Sequence, residues 1–190
     1  MTRDEFWRII DETPPDYKAR LDALTERFSQ LPTEALFRFH RQYVAVLVES
    51  LRWELRAATG VITDFWEGWS DDRFDYFRYW LILRGRRTFE AALADPETLA
   101  DVVEPHDWGV LPEGLHLLHL VGEAYRNRTG RNDFEEEFRR RHPPGPCDDH
   151  GEEVWESEEE LRRRFPRLCA RTDGGGGPAE PGAAPDRGGT

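Results

Sequence analysis

The chain has 190 residues and a formal net charge of −12, with 38% hydrophobic, 34% charged and 12% aromatic residues. Eleven Phe, seven Trp and five Tyr supply enough bulky apolar surface for a core, which excludes a wholly disordered protein. No apolar run approaches the 18 residues of a membrane span. The N-terminus has neither the basic start nor the apolar stretch of a secretory signal, so we expect a cytoplasmic protein.

The negative charge is concentrated late in the chain. Residues 1–130 carry a net charge of −7, residues 131–160 carry −8, and residues 161–190 carry +3. Because affinity for nucleic acids comes mainly from neutralised phosphates, this balance argues against a DNA or RNA partner.

The first two helices follow from end signals and periodicity. Thr2 and Glu5 form a capping-box pattern that predicts a helix over about 4–12, ended by Pro14-Pro15. Large apolar residues then recur at helical spacing and predict a second helix over about 16–30.

A long third helix is predicted over about 33–58. Its apolar residues span a wide arc, which is typical of a helix with several neighbours, so we place it at the centre of the fold. Gly60 is a suitable stop.

Further helices are predicted over about 71–84, 87–94, 96–103 and 112–128. Ser70 can cap the first of these and Gly85 ends or bends it. We find no alternating strand pattern and no repeat of 20–50 residues. The sequence therefore predicts an all-α fold, with about six to eight helices around the long central one.

The chain divides into three predicted regions. Residues 1–130 form the helical domain, residues 131–171 an acidic and partly helical extension, and residues 172–190 a disordered tail rich in Gly, Pro and Ala.

One segment carries a family resemblance. Residues 69–85 read WSDDRFDYFRYWLILRG, and residues 6–10 read FWRII. With the Phe89, Leu93, Pro96 and Leu99 pattern that follows, the chain resembles the bacterial family called domain of unknown function 4240 over about residues 1–130. The resemblance implies a helical domain and no established activity. Members often have Gly-Cys before Ser-Asp-Asp where this chain has Gly68-Trp69, so no role of that cysteine is carried over.

The same segment is the predicted functional surface. It combines rings, carboxylates and guanidinium groups within twenty residues, and the residues assigned to the binding surface are Trp66, Trp69, Asp71, Asp72, Asp75, Arg78 and Arg84.

Two interpretations of its charged residues stay open. The aspartates can hold Mg²⁺ or Ca²⁺ through oxygen ligands, or they can stabilise the helix dipole and pair with nearby arginines, which is the simpler interpretation. Arg78 can clamp an anion, or it can form a structural ion pair with Asp71, Asp75 or Glu49. We favour the structural pair, because a buried guanidinium needs a carboxylate in either case.

Histidines and cysteines give no recognised metal motif. His116 and His119 have usable spacing on a helix, but their flanking leucines favour partly buried structural histidines. Cys147 and Cys169 have no finger-like spacing and are expected as free thiols. We therefore expect no metal and no cofactor.

The absence of a catalytic motif favours a non-catalytic binding or regulatory domain over an enzyme. Its partner is then expected to be a protein, with no membrane involved. The alternative is a metal-dependent hydrolase or nucleotide-handling enzyme that uses Asp71, Asp72 or Asp75 with Arg78 or Arg84. A further possibility is that the acidic residues 133–160 occupy a basic surface of a partner.

Overall fold

The structure is a computed structural model, and it describes residues 1–63, 71–103, 116–143 and 157–173. Within these ranges every regular element is helical, which confirms the all-α fold class. None of the described helices is long and apolar enough to cross a membrane. The helices are α1 (Arg3–Asp11), α2 (Tyr17–Gln30), α3 (Thr33–Glu49), α4 (Trp53–Thr63), α5 (Asp71–Leu83), α6 (Arg86–Ala94), a 3₁₀ helix (Pro96–Asp101), α7 (His116–Thr129), α8 (Phe134–Arg141), α9 (Glu158–Arg164) and α10 (Pro166–Asp173).

Helix α1 begins with the predicted capping box. The Thr2 hydroxyl accepts a hydrogen bond from the Glu5 N–H at 3.2 Å, and the Glu5 carboxylate accepts one from the Thr2 N–H at 2.7 Å. Two N–H groups at the start of the helix are thereby satisfied. The helix buries Phe6, Trp7 and Ile10 against the centre of the molecule.

Helix α3 occupies the predicted central position, in contact with α1, α5 and α7. Its Phe39 ring lies 5.0 Å from Phe6 and 4.7 Å from Phe28, centroid to centroid. All three rings are fully buried. The three N-terminal helices therefore meet at one aromatic cluster.

The predicted helix over 33–58 is wrong in two respects. It is two helices with a break after Glu49, and the second of them, α4, does not stop at Gly60 but continues to Thr63. The Leu47 carbonyl accepts hydrogen bonds from the Ser50 N–H, the Ser50 hydroxyl at 2.8 Å and the Arg78 guanidinium at 3.0 Å. The Leu51 N–H bonds instead to Val48, three residues back. Because other donors occupy the Leu47 carbonyl, the Leu51 N–H does not form the i→i−4 hydrogen bond that would continue α3. Helix α3 therefore ends at Glu49, and α4 begins at Trp53.

Gly85 separates α5 from α6, as predicted. Its φ of 91° and ψ of 170° lie in a region that is essentially restricted to glycine. The Asp11 carboxylate at the end of α1 accepts a hydrogen bond from the Arg86 N–H at 3.0 Å. Asp11 thus caps a helix that begins 75 residues later in the chain.

The described part of the extension packs into the same core as the earlier helices. Phe134 and Phe138 of α8 are buried, and the Phe134 ring stacks on Phe37 of α3 at 4.9 Å. Leu161 of α9 and Leu168 of α10 are also buried, and both helices contact α4. Cys169 is buried and forms no disulfide with another described residue. The boundary at residue 130 stays a prediction, as does the disorder of the tail, whose residues from 174 on lie outside the described ranges.

Candidate functional site

The predicted binding surface is only partly within the described residues. Trp66 and Trp69 lie outside them, as does the side chain of Asp71. Asp72 and Arg84 are exposed on α5 and just after it, whereas Asp75 is half-buried and Arg78 is buried.

Arg78 points into the protein and joins α5 to the end of α3. It forms an ion pair with Asp75, one turn earlier, and donates to the Leu47 carbonyl at 3.0 Å. Its guanidinium carbon lies 5.1 Å from the centre of the Phe74 ring. A cation at the C-terminal end of a helix also complements the helix dipole. These contacts correspond to the structural ion pair, with Asp75 as the partner, and leave the anion-clamp interpretation without support.

Two tyrosines lie beside this pair. Tyr43 of α3 is 1% exposed and stacks with Tyr79 at 6.3 Å. Burial is the main cause that raises the pKa of Tyr43 well above its usual value, and the neighbouring Tyr79 adds to it. The Tyr43 hydroxyl and Arg78 Nε have no hydrogen-bond partner among the described residues. The region is therefore a packed polar contact between two helices.

Two aspartates of α5 have described side chains, Asp72 and Asp75. Asp72 is exposed, and Asp75 is engaged by Arg78. Within the described ranges no group of three or more His, Cys, Asp or Glu side chains could hold a metal ion. The hydrolase alternative stays a prediction to which these contacts lend no support.

A groove lies elsewhere, between α7 and α8. It is open to solvent and has a volume of about 730 Å³. Its walls are formed by Leu118, His119, Gly122, Glu123 and Arg126 of α7 and by residues 132–136 and Arg139 around the start of α8.

Most charged residues of the groove are engaged with near neighbours. Glu123 pairs with Arg126 at 3.2 Å, and Asp133 pairs with Arg131 and accepts a hydrogen bond from the Tyr125 hydroxyl at 3.1 Å. The Arg131 guanidinium is the largest cause that lowers the pKa of Asp133.

Three groove side chains have no ion pair with any described residue. They are Glu136 and Arg139 of α8 and His119 of α7, and all three are exposed. The expectation of a partly buried structural histidine is therefore wrong for His119, while the side chain of His116 lies outside the described residues. Apart from Glu135, which lies 3.6 Å from His40 Nε2, the groove thus presents one carboxylate, one guanidinium and one imidazole without a partner among the described residues.

Gly122 leaves free space in the wall of the groove. A Cβ atom built on it meets no heavy atom within 4 Å. A glycine in the interior of a helix costs about 0.5–1 kcal/mol relative to alanine, and no packing contact with a described residue explains Gly122. A partner backbone can approach α7 closely at this point.

A family model with the description "Protein of unknown function (DUF4240)" matches residues 1–127. The chain belongs to the DUF4240 family. No curated protein and no solved structure matches it. The DUF4240 region includes the Arg78 motif and nearly all of α7, whereas α8, α9 and α10 come after it. The groove is therefore built where the DUF4240 region meets the segment that follows.

Sequence reasoning overlooked this groove, although two signals were available. The pattern of three Glu, one large apolar residue and three Arg occurs at 135–141 and again at 158–164. Each copy forms a helix with its acids in the first turn and its arginines in the last. The second signal is Gly122, which has no role as a helix end.

The repeated pattern also makes the segment after residue 130 less acidic than residues 131–160 alone indicate. The window 131–160 ends inside α9, before its arginines. Extending it to residue 165 adds Arg162, Arg163 and Arg164 and reduces its net charge from −8 to −5. Both described helices of the acidic segment therefore carry their own counter-charges, while the acids at 148–156 lie outside the described residues.

Proposed function

We propose that the chain is a non-catalytic interaction domain that binds a protein partner in the groove between α7 and α8. The observation that carries this proposal is the groove itself, with Glu136, Arg139 and His119 unpaired within the described residues. Charged groups at the rim of an interface select partners and orient them.

The charge of the groove favours a protein over a nucleic acid. Four carboxylates, those of Glu123, Asp133, Glu135 and Glu136, stand against the guanidinium groups of Arg126 and Arg139. A phosphate backbone would be repelled by this excess. A polypeptide that carries both positive and negative charges can pair with both Glu136 and Arg139.

Gly122 provides the test. Gly122→Trp fills the groove, whereas Gly122→Ala leaves it open and adds about 0.5–1 kcal/mol of helix stability, because the new Cβ meets only open space. Full-length wild type and both variants would be used to capture proteins from cells that encode the chain, with quantitative mass spectrometry as the readout. We expect Gly122→Trp to lose the bound partner and Gly122→Ala to keep it.

A third variant addresses the surface predicted from sequence. If Trp69→Ala abolishes capture while Gly122→Trp does not, the partner binds near α5 and the groove proposal is wrong. Arg78→Ala is unsuitable for this purpose, because Arg78 holds α5 against α3 and its loss would act through the fold.

A further inference from the structure

We propose that the molecule bound in the groove is a second copy of this chain, in a weak two-fold dimer with reciprocal Glu136–Arg139 ion pairs. This inference rests on the proposed function, because it names the partner that the groove binds.

The charge along α8 is divided between its two ends. The first turn carries Glu135, Glu136 and Glu137, and the last turn carries three arginines. Glu137 is 7% exposed and is held by Arg140 and Arg141, so it belongs to the fold. Glu135 is exposed as well and lies 3.6 Å from His40 Nε2. The exposed α8 groups without any such contact among the described residues are therefore Glu136 near the start and Arg139 near the end.

This arrangement is complementary to itself. In a two-fold dimer the same surface is used by both copies, so a contact between residue i and residue j occurs twice. When two α8 helices lie antiparallel, Glu136 of each faces Arg139 of the other. Both free charges of each copy are then paired.

The position of the two residues on the helix supports this pairing. Glu136 and Arg139 are equidistant from the midpoint of α8, which runs from Phe134 to Arg141. A two-fold axis that lies between the two helices, level with their midpoints, therefore overlaps them over their full length of about 12 Å. A pairing away from the midpoint would leave one end of each helix without a counterpart.

The groove gives room for such an approach. The wall at Gly122 has no side chain, and about 730 Å³ is available beside α8. Because α8 has only eight residues, the buried area is small, and we expect a dimer of the weak class with a dissociation constant of roughly 10–100 µM.

Helix α9 provides a matched comparison. It has the same order of charges, and its Glu159 and Arg163 are also exposed. None of its residues lines the α7–α8 groove, and its Glu158 pairs with Arg162 at 2.9 Å. Glu159→Arg and Arg163→Glu therefore change the net charge as the α8 variants do, at a place where we expect no contact.

The experiment measures association of the full-length chain by sedimentation velocity from about 5 to 500 µM. We expect wild type to dimerise with rising concentration, and Glu136→Arg and Arg139→Glu each to weaken the dimer at least tenfold, because two attractive contacts become repulsive at once. Glu159→Arg and Arg163→Glu should leave the dimer unchanged.

Mixing gives the sharpest result. When Glu136→Arg is combined with Arg139→Glu in equal amounts, one copy presents only arginines and the other only glutamates, so both contacts become attractive again. We expect this mixture, and the double variant Glu136→Arg/Arg139→Glu alone, to associate as wild type does.

Three results would overturn the inference. They are a wild type that stays monomeric at 500 µM, a dimer that Glu136→Arg and Arg139→Glu leave intact, and a mixture that fails to recover. A monomeric wild type whose Gly122→Trp variant still loses a captured protein would overturn the second copy as partner and leave the proposed function standing.

Discussion

Acidification should destabilise the protein through His40, which is buried between α3 and α8. The residue is 3% exposed, and its ring centroid lies 4.3 Å from that of Phe138 and 5.2 Å from that of Phe134. Nδ1 has no hydrogen-bond partner among the described residues. Burial is the main cause that lowers the pKa of His40 to about 4, and His142 adds to it.

The direction of the effect follows from the lowered pKa. The unfolded chain takes up the proton near pH 6.5, whereas the folded protein resists it until about pH 4. The contribution of neutral His40 to the free energy of unfolding is therefore fully present above pH 6.5. It is lost as the pH falls from 6.5 towards 4. Between pH 7.5 and 4.5 the loss is about 2–3 kcal/mol of unfolding free energy.

The groups that face His40 do little to offset this loss. Glu135 Oε1 lies 3.6 Å from Nε2, but the Glu135 side chain is 54% exposed and its attraction is screened by water. Tyr43 on α3 is neutral in this range and His142 on the α8 side adds repulsion on protonation.

The assay is urea unfolding at intervals from pH 7.5 to 4.5, for wild type, His40→Gln and His119→Gln. His40→Gln lowers stability at neutral pH but removes the titrating group. The free energy of unfolding of this variant should therefore fall by about 2–3 kcal/mol less than that of wild type over this range. The exposed His119 serves as control, and its variant should follow wild type. Parallel curves for wild type and His40→Gln would refute the reasoning.

Three further substitutions test contacts between helices, each by chemical denaturation. Gly85→Ala should lower the free energy of unfolding by about 2–4 kcal/mol, because φ is +91° and the new Cβ would lie 2.5 Å from the Asp11 carboxylate. An unchanged denaturation midpoint would contradict this. Arg78→Lys should lower the free energy of unfolding by about 1–3 kcal/mol, because one ammonium replaces a guanidinium that bonds both the Leu47 carbonyl and Asp75. Full stability of the lysine variant would show that the two bonds of the guanidinium are dispensable. Tyr43→Phe should be neutral or stabilising by up to about 1 kcal/mol, because the hydroxyl has no partner among the described residues. It should also reduce the loss of stability above pH 10, because the pKa of Tyr43 is raised in the folded protein. A clear destabilisation would reveal a partner for the hydroxyl.

The features that sequence predicted well are those decided by near neighbours. The Thr2–Glu5 capping box spans three residues, and Gly85 is constrained by its own backbone. Helical periodicity likewise needs only one turn of context. In each case the local preference and the final fold agree, so the pattern is sufficient.

The features that sequence missed depend on residues far apart in the chain. At the break after Glu49, a guanidinium 31 residues later shares the Leu47 carbonyl with Ser50, and the residues around Ser50 do not indicate this distant donor. The groove requires α8 to pack beside α7 on α3. Arg78 was correctly expected to need a carboxylate, but its second bond to a helix end was invisible to a pattern analysis.

The segment after residue 127 packs against the DUF4240 region like a ligand that is covalently linked to its receptor. Its rings and leucines fill positions of a shared core, with Phe138 against α3 and Leu168 in the fold near α4. A covalent tether of this kind keeps a partner at an effective concentration in the millimolar range, so modest contacts suffice to keep it bound. Proteolytic separation of the two parts, followed by dilution, would convert this intramolecular association into a bimolecular one. Without the segment after residue 127, the apolar surfaces that it covers on the DUF4240 region of this chain would be exposed to water.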